Sequence, residues 1–145
     1  MNTTDTTTEK KIVVGVWPTL VYRDGQAALK FLTEGLGFTQ ICLYAGDADG
    51  SIAHSELAWP PGGGVMVSSV GRQREQDDFS WLAEHPQSVY LVHDDPDRLL
   101  AKAIAAGAVV VRGLRDEDYG SRGFTVKDHE GNLWSVGTYR GEIVE

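Results

Sequence analysis

The chain has 145 residues, 41% of them hydrophobic, which is the size of one domain able to bury a core. Its formal charge of −8 opposes attraction to phosphates, and no Lys/Arg cluster with interleaved aromatics offsets it, so nucleic acid is excluded as a partner. No run approaches the roughly 18 apolar residues that a bilayer-crossing helix needs, so no membrane span is expected.

In chain order, residues 1–11 are polar and Thr-rich, with neither the apolar middle of a secretion signal nor the arginines of a transit peptide. They read as a disordered tail, and a cytoplasmic address is expected. An extended run over residues 16–23 is interrupted by Pro18, and Asp24 is placed to cap a helix whose apolar Ala27, Ala28, Phe31 and Leu32 recur at three- and four-residue steps. Gly35 or Gly37 would stop it. Three strand-like pieces follow at residues 39–44, 51–59 and 65–70, separated by turn-forming sequences around Gly46 to Gly50 and Pro60 to Gly64. Cys42, the sole cysteine, lies within the first of these and reads as a buried, inert thiol.

The polar stretch 71–86 reads as a linker, with a short turn through Trp81 and Leu82. Beyond it the grammar repeats: a run over residues 87–94, a helix from Pro96 to Ala106 stopped by Gly107, then strands at 109–112, 122–127 and 133–139. Residues 12–70 and 87–145 thus form two modules of strand, helix and three strands, with a period of roughly 70 residues. The last two strands are joined by Asp128-His-Glu-Gly-Asn132, in which Asp128 can cap the turn and Gly131 tolerates positive φ.

This repeat and its closing hairpin resemble the glyoxalase and bleomycin-resistance proteins of the vicinal-oxygen-chelate superfamily, over residues 14–139. The resemblance implies an α+β fold in which paired βαβββ modules curl into a cup-shaped mixed sheet, with helices outside and the ligand inside. It also implies a homodimer.

Enzymes of that family hold a divalent metal with His and Glu ligands drawn from both modules. At the corresponding positions this chain has Trp17, Glu56, Ser88 and Ser135, so one of four ligands survives. Serine hydroxyls are weak ligands, and the set argues against a bound metal or any other cofactor. His54 lies two residues before Glu56 and shares its sheet face, while Asp118 or Tyr119 on a later loop would be the recruits for a fuller site. Arg122 either binds an anionic group of a ligand or braces the acidic loop 116–118, and bracing is favoured. Trp134 and Val136 should face the helices if Ser135 faces the cup. No Gly-x-Ser-x-Gly elbow or phosphate loop is present.

Three functions are open on these residues. The favoured one is a metal-free binding protein that sequesters a cationic or aromatic small molecule in a cup lined by Trp17, His54, Glu56, Ser88, Ser135 and Tyr139, with Arg122 as a further contact. A second is an enzyme: a lyase or isomerase with Glu56 as base assisted by His54, or a metal-dependent lyase or dioxygenase. A third is a structural homodimer with a vestigial cup.

Overall fold

The computed structural model describes residues 14–73 and 77–142. The expected tail lies outside them. Among the described residues the chain forms β1 (Thr19–Tyr22), α1 (Gly25–Lys30), β2 (Thr39–Ala45), β3 (Ile52–Ala58) and β4 (Gly64–Ser69). After a 3-10 turn at Ser80–Glu84 come β5 (Ser88–Val92), α2 (Pro96–Ala105), β6 (Val109–Asp116), β7 (Arg122–Lys127) and β8 (Leu133–Gly137). The strands make two four-stranded sheets, ordered β1-β4-β3-β2 and β5-β8-β7-β6. In each, the opening strand pairs in parallel with the last strand of its module and the other pairs are antiparallel. The α+β fold of two repeated modules is therefore present.

Local chemistry accounts for the helix ends. The Asp24 carboxylate accepts from the Ala27 N–H at 3.0 Å, and Asp95 does the same for Arg98 at 3.2 Å with Pro96 in the first turn. At Phe31 the first helix widens into a π-helical segment, Phe31–Leu36, which ends where Gly37 adopts φ 95°. Of the two glycines expected to stop this helix, Gly37 does so. Gly35 serves packing instead: a Cβ there would lie 2.8 Å from the Ala106 side chain, so its absence lets the helices of the two modules touch.

Strand alternation separates two faces. Leu20, Tyr22, Leu57, Val65, Val67, Leu91, Phe124, Val126, Trp134 and Val136 are buried on the helix side and merge with Leu32, Leu36 and Leu99 into one core. Each such side chain contributes roughly 1.5–3 kcal/mol on burial. Trp134 and Val136 are thus on the helix side, as the alternation predicts.

The modules are locked by polar contacts. Tyr22 donates to Asp128 at 2.7 Å, the N–H groups of Arg23 and Asp24 donate to Glu130 at 2.7 Å, and the Trp59 indole donates to the Val92 carbonyl at 2.9 Å. Asp128 also accepts from the N–H groups of Glu130 and Asn132 and from the Trp134 indole, so it caps its turn as expected and anchors the junction as well. No helix among the described residues is long and apolar enough to cross a membrane.

Candidate functional site

Opposite the helices, each sheet presents a second face whose chemistry differs between modules. On the first sheet, β3 turns Ser55 and Leu57 inward, so His54 and Glu56 point the other way. His54 Nε2 and Glu56 Oε2 are 2.7 Å apart, with side chains 40% and 30% exposed. The ring of Tyr44 stacks on His54 with centroids 6.2 Å apart. The β2–β3 register sets Cys42 opposite Glu56, and the ligating atoms of Cys42, His54 and Glu56 all lie within 4.8 Å of one another. A carboxylate–imidazole pair of this kind can relay a proton or share a cation.

Beside it is a cavity of about 150 Å³ lined by Thr19, Val21, His54, Met66, Ser68, Arg72 and Phe79. Arg72 and Phe79 come from the stretch read as a linker. The guanidinium lies over the Phe79 ring at 5.3 Å and pairs with Asp77, whose carboxyl it holds below the usual range. The expected short turn through Trp81 and Leu82 is the 3-10 segment, but Arg72 and Phe79 of that stretch also wall a cavity.

On the second sheet the matching face carries hydroxyls. Tyr90, Ser135 and Thr125 sit side by side in register, and Thr125 Oγ1 and Ser135 Oγ are hydrogen-bonded at 2.8 Å. The Tyr90 hydroxyl donates to the Tyr139 carbonyl at 2.6 Å, and Tyr139 meets Tyr119 edge-on at 5.5 Å. Burial raises the Tyr90 phenol above its ordinary value.

Between the modules, Trp17, Thr19, Gln87, Ser88 and Tyr90 line a cleft of about 610 Å³. Trp17 can approach there because Gly64 has no side chain: a Cβ would lie 2.7 Å from the indole. Pro18, Val89 and Tyr90 also line a neighbouring cavity of about 400 Å³.

The residues expected to share one cup are therefore spread over three adjoining patches. Trp17 and Ser88 meet in the intermodule cleft, His54 and Glu56 lie on the first sheet, and Ser135 and Tyr139 lie on the second. Thr19 lines both the cleft and the first-sheet cavity, and Tyr90 belongs to both the cleft and the second sheet. Arg122 is elsewhere. It shares the helix-side parity of Phe124, grips Asp97 on α2 through two nitrogens at 2.8 and 2.9 Å, and reaches Asp116 at 3.3 Å. Bracing is its observed role, and these carboxylates push its pKa further upward.

The donor set does not fit a metal held across both modules. Trp17 offers an indole N–H already donated to the Val14 carbonyl, Ser135 is bonded to Thr125, and Glu56 belongs to β3 while Ser135 belongs to β8. The repeat equates β3 with β7 and β4 with β8, so the position matching Ser135 is Met66, not Glu56. Cys42, read as buried, is only half-buried, because β2 is an outer-edge strand whose two faces are both open, and Tyr90 was not singled out by sequence reasoning. Pairing residues 39–44 with 51–59 as a hairpin would have set Cys42 near Glu56. Nothing local to residues 87–94 marks Tyr90. The other histidines have partners too: His93 Nδ1 accepts from the Asp95 N–H at 2.9 Å, His85 packs edge-on against Trp81, and His129 stacks on Tyr22.

The sequence model of the Glyoxalase/Bleomycin resistance protein/Dioxygenase superfamily matches residues 16–136. Among solved structures, TioX from Micromonospora sp. ML1 is 30% identical, covers 85% of this chain and 98% of its own, and superposes with a TM-score of 0.67. A glyoxylase/bleomycin resistance protein/dioxygenase domain from Frankia sp. EAN1pec shares the fold at 15% identity, with a TM-score of 0.61 over 90% of this chain and 100% of its own. An uncharacterized protein of Mycobacterium tuberculosis is 29% identical over 123 residues, 83% of this chain and 71% of that protein.

Proposed function

The chain belongs to the Glyoxalase/Bleomycin resistance protein/Dioxygenase superfamily, and from that premise we propose that it is a small-molecule-binding protein whose ligand lies in the cleft between its modules. The observation that carries this reading is the cleft lined by Trp17, Thr19, Gln87, Ser88 and Tyr90. Its volume of about 610 Å³ falls within the roughly 300–1,000 Å³ usual for small-molecule sites. Two aromatic side chains and a few neutral polar groups suit a planar ligand, and the net charge of −8 favours a cationic one. Neither an indole nor a serine hydroxyl needs a metal to hold such a ligand.

We propose further that the protein works as a homodimer. Outer-edge strands β2 and β6 leave Ile41, Leu43, Val109, Val110 and Val111 between 41% and 56% exposed. Edge strands of this character are normally covered. A second copy is the occupant that the family resemblance implies.

Tryptophan fluorescence tests the ligand reading. Titration with a planar cationic dye, with EDTA present, should give saturable quenching that disappears in Trp17→Phe and persists in Trp81→Phe. Saturable quenching that survives Trp17→Phe, or none in the parent chain, would remove the cleft as the binding site.

A further inference from the structure

We propose that Cys42, His54 and Glu56 form a three-ligand site for Zn²⁺, or a cation of the same borderline-soft class, on the exposed face of the first sheet. Their ligating atoms lie within 4.8 Å of one another. Tetrahedral zinc with bonds of ~2.0–2.3 Å needs its ligand atoms roughly 3.3–3.6 Å apart, so an ion entering in place of the shared proton opens the 2.7 Å His54–Glu56 contact and draws in the wider separations, by side-chain shifts of about an ångström. The backbone already holds the three in place. Cys42 and Glu56 are partners across β2 and β3, and His54 follows by strand alternation. β3 is itself paired on both edges, by β2 and β4, and the Tyr44 ring lies against the imidazole. Donors carried on paired strands are better fixed than donors on loops.

The donor types choose the ion. One thiolate and one imidazole with a single carboxylate suit zinc and cobalt, whereas Ca²⁺ and Mg²⁺ take oxygen ligands. Three protein ligands leave a fourth position for water or an incoming donor. His54 also lines the cavity of about 150 Å³ with Thr19, Met66, Ser68 and Arg72, so a ligand with an anionic or thiolate group can reach the ion from there. This site lies within one module and does not depend on ligand binding in the Trp17 cleft.

Cobalt(II) titration of the reduced full-length chain, followed by absorption, tests it. The expected result is one equivalent bound, a thiolate-to-cobalt charge-transfer band in the near ultraviolet, strong visible bands of tetrahedral cobalt, and loss of all of them on adding one equivalent of zinc. Cys42→Ser should abolish the charge-transfer band, and His54→Gln and Glu56→Gln should each weaken binding by about tenfold or more. Circular dichroism and melting of the metal-free variants establish that they fold. Absence of the thiolate band overturns the site, as does a band of undiminished affinity in either His54→Gln or Glu56→Gln. Dye quenching of Trp17 is read with EDTA present, so either result stands whatever happens to the other.

Discussion

The two modules share one strand order and one pairing scheme, yet their exposed sheet faces and their closing turns are built from different chemistry. The first face carries Cys42, His54 and Glu56, all able to ligate or ionise, and the second carries the Thr125–Ser135 hydroxyl pair beside Tyr90 and Tyr139. In the first module the β3–β4 turn closes through backbone bonds, Gly62 N–H to the Trp59 carbonyl and Trp59 N–H to the Gly63 carbonyl. In the second, the β7–β8 turn makes the equivalent backbone bonds, Gly131 N–H to the Asp128 carbonyl and Asp128 N–H to the Asn132 carbonyl, and adds the buried carboxylate of Asp128, which also serves Tyr22 from the other module. The repeat keeps mostly apolar side chains on the face toward its helices, Val65 and Leu57 matching Trp134 and Val126, because they fill one shared core. Its other face and its turns are free to diverge, and a turn that meets the partner module acquires a structural load its counterpart lacks.

This asymmetry sets the order of expected effects. Asp128→Ala should cost the most, about 3–5 kcal/mol in a denaturant titration, because it strands the Tyr22 hydroxyl, the Trp134 indole and two turn N–H groups in a buried place. Tyr22→Phe removes only one donor to that carboxylate and should cost about 1.5–3 kcal/mol. Gly63→Ala, in the corresponding turn of the first module, should cost about 1–2 kcal/mol through its φ of 83° alone. A loss for Gly63→Ala as large as that for Asp128→Ala would break the comparison.

Alkaline pH sharpens it. Burial, and next the Asp128 carboxylate, push the Tyr22 phenol well above its usual value. The unfolded chain therefore loses this proton first. The stability contributed by neutral Tyr22 is complete below roughly pH 10 and is lost as pH rises toward the raised folded value. Melting curves from pH 9 upward should show this decline, and Tyr22→Phe should flatten it.

The edge strands test assembly separately: sedimentation should find a dimer, and Ile41→Lys with Val110→Lys should give monomers. A monomeric parent chain would remove the proposed interface. The smallest effect is expected at Arg122. Arg122→Met breaks exposed pairs with Asp97 and Asp116, so neither melting temperature nor dye affinity should change measurably. A fall in dye affinity would return Arg122 to the ligand site.

Much of this molecule is written locally. Asp24 and Asp95 mark the helix starts, Gly37 and Gly107 the stops, and the Asp128–Asn132 turn the last hairpin, because caps and turns depend on a few neighbouring residues whose preferences are intrinsic. The parity that sends Trp134 and Val136 inward and Ser135 outward is equally local. The sequence by itself therefore determined the repeated βαβββ order, the superfamily and the separation of core from open face. Only the tertiary structure decided which open-face residues meet. Cys42 joins His54 and Glu56 through the β2–β3 register, Trp17 joins Ser88 through the docking of two modules, and Arg122 turns to Asp97 on a helix 25 residues upstream. Contacts between distant segments depend on register and packing summed over the whole core, and no short window of sequence contains that sum.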